Sequence, residues 1–173
     1  MAESPDHLTL VRHRDRAGRR ETIARRVGLT LLSLFAFAAL LNLFGQRPAT
    51  SSASASAATL KIYGADRVRG GLYYETRYHV HARTDLKDAT LVLDSGWLEG
   101  MTVNTIEPSP VSEASRDGKL ALELGHVPAG QEYLLFIQYQ VNPTNVGHRR
   151  QKTWLYDGDM LLTSVTRTVT VFP

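Results

Sequence analysis

A chain of 173 residues with no cysteine excludes disulfide scaffolds, thiol catalysis, zinc–thiolate sites and a lipid-modified cysteine. The formal charge of +3 points towards nucleic acid until it is located: residues 1–26 hold seven arginines against four acids, and the remainder is balanced at 13 of each sign. The excess lies wholly in an N-terminal tail, where it reads as a membrane-topology signal, and no nucleic acid is expected as a partner.

The tail carries Arg12, Arg14, Arg16, Arg19, Arg20, Arg25 and Arg26, and it leads into Val27–Gly45, VGLTLLSLFAFAALLNLFG, which has no formal charge. As a helix this run spans roughly 28 Å, close to the hydrocarbon thickness of a bilayer. Only Arg47 follows it before Lys61. The positive-inside rule then predicts a single-pass plasma-membrane protein with residues 1–26 cytoplasmic and the C-terminal part extracytoplasmic. The triplets Ala53-Ser54-Ala55 and Ala55-Ser56-Ala57 fit a small-x-small cleavage pattern. The run exceeds a usual signal-peptide core and the triplets lie far beyond it, so an uncleaved signal anchor is expected, with cleavage as the alternative.

Residues 46–58, QRPATSSASASAA, alternate small and hydroxylated side chains, and are expected to form a flexible stalk. From Thr59 to Pro173 the period becomes two. Leu72, Tyr74, Thr76, Tyr78, Val80 and Ala82 fall on one face of a strand, and Tyr73, Glu75, Arg77, His79, His81 and Arg83 on the other. Ala89–Leu93 and Met101–Ile106 follow, then a Pro/Ser/Glu-rich loop over 107–115 and an Asp117-Gly118 turn signal. Leu120–Leu124 and Tyr133–Val141 are the next strands. Leu134 and Phe136 make the latter apolar on both faces, as a central strand would be. Lys152–Tyr156, an Asp157-Gly158 turn and Met160–Phe172 form a hairpin. The fold class predicted is mainly β: one N-terminal transmembrane α-helix, then an immunoglobulin-like β-sandwich of about seven or eight strands, with a small barrel as the alternative.

The stretch YHVHARTDLKDATLVLDSGWLEGM at 78–101, followed by LELGHVPAGQEYLLFIQYQV at 122–141, resembles bacterial cell-surface immunoglobulin-like repeats. The shared features are an Ala-Thr-x-Val-type strand, a glycine-containing turn and a corner built from Leu124, Gly125, Pro128, Ala129 and Gly130. The whole chain also resembles small single-pass membrane proteins of actinobacteria. The resemblance implies a wall- or surface-facing role and brings no activity with it.

Few residues suggest chemistry. His79 and His81 share a strand face roughly 7 Å apart, but a zinc site needs a third ligand, for which only His148 or Asp157 offer themselves. Asp157-Gly158-Asp159 falls short of the six to eight oxygens of calcium. Ser95 lies in Asp-Ser-Gly-Trp, not in a nucleophile elbow. No cofactor, metal or catalytic residue is expected. Tyr63, Tyr73, Trp97, Trp154 and Tyr156 are candidate exposed aromatics, or caps on the two ends of the core. Arg149, Arg150 and Lys152 beside Trp154 and Tyr156 make the one basic-aromatic cluster outside the tail, a possible binding patch. The expectation is a non-enzymatic interaction or accessory module of the cell envelope, with a membrane or envelope protein as partner. A wall-polymer or carbohydrate-binding module is the alternative, and an envelope hydrolase ranks last.

Overall fold

The computed structural model describes residues 10–43 and 45–173, with side chains from Gly18 onward. The side chains of Arg12, Arg14 and Arg16 therefore lie outside the described residues, as do residues 1–9 and Phe44. The chain divides into two compact units at residues 43 and 44.

The first unit is one helix, α1 (Leu10–Leu40), which continues from the basic segment into the apolar run. No proline interrupts it, and alanine, leucine and arginine favour helix on both sides of the charge boundary. Asn42 ends it in the left-handed region at φ 56°. Leu43 N donates to Ala38 O at 3.2 Å and Asn42 N to Ala39 O at 3.0 Å. This is a Schellman closure, with asparagine in the usual glycine position. The span expected over 27–45 is thus corrected at both ends: the helix begins earlier, and Val27–Leu40 alone rises only roughly 21 Å. Gly18–Leu40, 23 residues, is long and apolar enough to cross a membrane. Its apolar side chains, Leu32 and Phe35 among them, are well exposed.

The second unit is made of β-strands: β1 (Arg47–Ser54), β2 (Ala58–Arg69), β3 (Tyr73–Ala82), β4 (Leu86–Leu93), β5 (Met101–Glu107), β6 (Ser112–Arg116), β7 (Lys119–Val127), β8 (Glu132–Val141), β9 (Gly147–Asp157) and β10 (Met160–Phe172). A single turn of 3-10 helix, Ser95–Trp97, lies between β4 and β5. Hydrogen bonding runs in the order β5-β8-β3-β2-β10-β9-β4-β7-β6, with β1 also on β2. β2-β3-β8-β5 reproduces the A-B-E-D sheet of an immunoglobulin-like sandwich and β10-β9-β4 its G-F-C sheet. The β6–β7 hairpin is inserted before the E strand and joins the free edge of β4. The two sheets meet where the last residues of β2 turn parallel to β10, Arg67 to Arg69 against Thr170 to Phe172. β5 and β6 end the path unpaired with each other, so the sandwich expectation holds and the closed barrel does not.

Among the described residues the strands number ten rather than the seven or eight expected: β2 fills Ala58–Arg69, where the sequence shows only a period of two, and β6 and β1 arise in segments expected as loop and stalk. β6 arises within the loop expected over 107–115. Asp117 at φ 52° and Gly118 at φ 73° close a two-residue turn with both φ positive, and this folds Ser112–Arg116 back on β7. β1 arises from the expected stalk. Residues 47–54 pair antiparallel with β2, Ser51 opposite Ile62 and Ala53 opposite Leu60, so this segment is not a spacer. Ala49, Ser51 and Ala53 are half-buried while their neighbours are exposed. The last hairpin is also shifted by one residue. Asp157 pairs with Met160, leaving Gly158 and Asp159 as the turn, and only Gly158 has positive φ. That is the glycine-first turn type, which leaves Asp157 free to accept from Asp88 N at 2.8 Å.

The core lies between the sheets. The alternation read in β3 is obeyed from Tyr74 to Ala82, all inward, whereas Leu72 precedes the strand and is exposed. Trp97 is fully buried, with its ring 5.3 Å from that of Tyr78 and 5.6 Å from that of Tyr139. Tyr78 and Tyr139 share a hydroxyl–hydroxyl hydrogen bond of 3.0 Å, and Tyr74 donates to Met101 Sδ at 2.8 Å.

Candidate functional site

Strand alternation decides which members of the basic-aromatic cluster act together. Arg150, Lys152, Trp154 and Tyr156 project from the outer face of β9, while Gln151, Thr153 and Leu155 point into the core. Arg149 falls on the alternate positions and separates from the patch. It is half-buried, and its Nε donates to Asn145 Oδ1 at 2.9 Å. Asn145, itself buried, donates from Nδ2 to Gly100 O at 3.0 Å. Gly100 has φ 70°, and a Cβ there would stand 2.6 Å from the Asn145 side chain, so glycine is required for this brace.

The inserted hairpin supplies two cations that sequence reasoning missed. Lys119 Nζ lies 5.5 Å from the Trp154 ring centre and Lys152 Nζ 4.8 Å from it. Arg116 covers Tyr156 at 4.1 Å and donates to Gly158 O and to Asp159 Oδ1, at 3.2 and 3.1 Å. Arg116-Asp117-Gly118-Lys119 was legible as a turn; that β7 docks beside β4, which pairs with β9, is a long-range pairing that the turn residues do not encode. Val92 lies between these groups, in a cleft of about 210 Å³ lined also by Arg116, Asp117, Lys119, Trp154 and Tyr156. Because cations lie over both aromatic rings, the rings hold positive charge at the surface rather than offering bare faces.

A larger cleft, about 490 Å³, lies beside it, between the Asp94–Gly96 turn and His148, Arg149, Arg150 and Lys152. Asp94 N donates to Lys152 O at 3.1 Å, which seats the turn on β9. At Gly96 the approach is so close that a Cβ would be 1.8 Å from Arg150 O. Asp94 and Glu99 are the acids of this cleft, but among the described residues neither pairs with Arg149, Arg150 or Lys152 within 4.0 Å. On β10, Ser164, Thr166 and Thr168 stand opposite Trp154, Lys152 and Arg150, so hydroxyls border the cations.

The other candidates separate. His79 Nδ1 lies 3.1 Å from Glu132 Oε1, whereas His148 Nδ1 bonds Thr170 Oγ1 at 3.1 Å. Asp157 is engaged at Asp88 N, and among the described residues no three histidine, aspartate or glutamate side chains converge as a metal site would need. Trp97 belongs to the core and leaves the set of exposed aromatics. Tyr63 and Tyr73 remain exposed on the other sheet, with Arg77 5.8 Å from the Tyr63 ring centre.

The sequence matches no protein-family model and no curated protein. Among solved structures it is similar to the CARDB domain of the PF1109 protein from Pyrococcus furiosus, determined with di-metal ions, at 15% identity and a TM-score of 0.44, covering 72% of this chain and 89% of that one. It is also similar to a non-cellulosomal cohesin from the archaeon Archaeoglobus fulgidus, at 13% identity and a TM-score of 0.38, over 72% and 91% of the two chains. A third similar structure is AvmM, which catalyses macrocyclization in alchivemycin A biosynthesis, at 9% identity and a TM-score of 0.39, over 75% and 92%.

Proposed function

We propose that this chain is a single-pass membrane protein of the cell envelope, with a cytoplasmic N-terminus, whose extracytoplasmic immunoglobulin-like sandwich is a non-enzymatic docking module for an acidic protein partner. The observation carrying this reading is the outer face of β9, where Lys119, Lys152 and Arg116 lie over Trp154 and Tyr156 beside Arg150. Aromatic and arginine side chains on a rigid sheet are what protein interfaces concentrate, and Lys119, Arg150 and Lys152, which lack the carboxylate partner that Arg116 has in Asp159, select an acidic counterpart. Cations over both rings work against sugar stacking. The hydroxyl row of Ser164, Thr166 and Thr168 favours the second reading, an anionic wall polymer.

The test places a photo-crosslinking residue at Thr166 in intact membranes. An adduct with one protein, lost in Arg150→Glu/Lys152→Glu and retained in Lys61→Glu on the other sheet, is expected. An adduct insensitive to the β9 reversals rejects the site. Binding of purified wall glycan by the intact chain, lost in the same double variant, transfers the site to the second reading.

A further inference from the structure

One end of the sandwich is built where the chain enters it. Gly70 N donates to Phe172 O at 2.9 Å, Gly71 N to Val141 O at 2.8 Å and Asn142 N to Gly100 O at 3.0 Å. These bonds gather the β2–β3 loop, the β8–β9 loop and the C-terminal residues into one surface. Gly70 packs so tightly on the β8–β9 loop that a Cβ would lie 2.9 Å from Pro143 O. β1 begins at the same end, with Arg47 opposite Arg67, and Gln46 Nε2 donates to Tyr73 O at 2.7 Å.

This end exposes Leu72 at 46%, Tyr73 at 55% and Val146 at 48%. Around them stand the exposed Arg47, Arg69 and His148 and the half-buried Arg149; the exposed acids alongside are Glu99 in the adjoining turn and Glu75, which pairs with Arg77. The opposite end also exposes apolar groups, Met160 and Leu161, but there they lie among Asp85, Asp88, Asp157 and Asp159, of which Asp159 pairs with Arg116. Apolar tips with a tyrosine, ringed by arginines, match the composition of a membrane–water interface. Residues 43–46 are all that joins the closure of α1 to β1, and four residues reach at most about 14 Å.

From this charge and tether we infer that the Arg47 end of the sandwich, Leu72, Tyr73 and Val146 within Arg47, Arg69 and Arg149, seats on the anionic headgroups of the bilayer that α1 crosses. This rests on the membrane-anchor part of the reading above and leaves the outer face of β9 for the partner. Seating would fix the orientation of that face above the membrane, which a free stalk would not.

The native chain has no cysteine, so single-cysteine variants carry spin labels without background. The full chain is reconstituted in phosphatidylcholine vesicles with and without phosphatidylglycerol, labelled singly through Leu34→Cys, Leu72→Cys, Val146→Cys or Asp159→Cys. Labels at 72 and 146 are expected to be shielded from an aqueous relaxant and reached by a lipid-phase one only when phosphatidylglycerol is present, while the label at 159 stays aqueous. Arg47→Glu and Arg69→Glu should each lower the seated population by about fivefold or more. If the label at 34 lies in the bilayer and those at 72 and 146 are as aqueous as that at 159, seating is wrong and the anchor stands. A label at 34 in water removes the anchor and the seating together. Tryptophan emission in a Trp154→Phe background, where only the buried Trp97 remains, verifies that each variant is folded.

Discussion

Arg167 is 7% exposed in β10, on the inward row with Val165, Val169 and Val171. Its Nη2 donates to Gly64 O at 3.1 Å and also to Ala65 O. Those carbonyls lie where the β2–β3 pairing ends, at Gly64 opposite Thr76, and where the β10 pairing has not begun, with β1 alone continuing alongside at Ala65. Strict alternation in TSVTRTVTV was legible and does place position 167 inward. Why an arginine stands there was not, because its partners lie about a hundred positions away, at a crossover between sheets. Arg167→Met should cost about 2–4 kcal/mol, since it removes a buried, charged donor shared by the Gly64 and Ala65 carbonyls. Urea unfolding with an unchanged slope and a lower midpoint checks it. Burial also holds the tyrosines neutral. It pushes Tyr74 up to about 12, and Tyr78 and Tyr139 well above their ordinary value near 10. A raised folded value means that the unfolded chain ionises first. Stability is therefore full below about pH 10 and falls as pH rises past it, with Tyr74 losing its share towards pH 12. Denaturation midpoints between pH 9 and 11 should show this fall, shallower in Tyr74→Phe.

β1 marks the limit of what periodicity can say about an element. Ala49, Ser51 and Ala53 point inward and Thr50, Ser52 and Ser54 outward, yet both rows are small and nearly equal in polarity, so alternation gave no contrast. Its order comes from the partner: β2 presents a long edge, and β1 covers it down to the residue where β10 takes over. The strands legible from sequence, β3 and β8 above all, have an inner row that is apolar but for Thr76 and therefore name their own faces. In an antiparallel pair, successive residues alternate in whether their N–H faces the partner. Of Ser51→Pro and Ser52→Pro, one should therefore lose about 1–3 kcal/mol and speed hydrogen exchange across Lys61–Tyr63, while the other stays near wild type. Two neutral substitutions would return residues 47–54 to the role of spacer. The candidate site divides in the same way. Arg150, Lys152, Trp154 and Tyr156 share a face because they are two apart in one strand, which sequence displays. Arg116 and Lys119 join them through β7 beside β4, which it does not.

At the scale of the whole chain, β1 bears on the fate of the apolar helix. The small-x-small triplets at 53–55 and 55–57 lie at the end of β1 and just beyond it. Cleavage after Ala55 or Ala57 would discard Arg47–Ser54 and leave the β2 edge from Thr59 to Arg67 without its partner. Uncovered, that edge is a template for another strand, a hazard that folded proteins suppress. The product would also lose Gln46, which holds Tyr73 O, and the half-buried Ala53, which packs against the core. An intact β domain therefore needs its N-terminal boundary before Arg47, upstream of both triplets, and only Leu41–Gln46 lies between that boundary and α1. The proposed anchor is therefore supported by the position of the first strand more than by the length of the apolar run, of which only Val27–Leu40 lies in α1. Extraction of membranes at alkaline pH should leave a full-length chain in the pellet. A soluble product beginning at Ser56 or Ala58 would reject the anchor, and its β2 amides should then exchange faster than those of the intact chain.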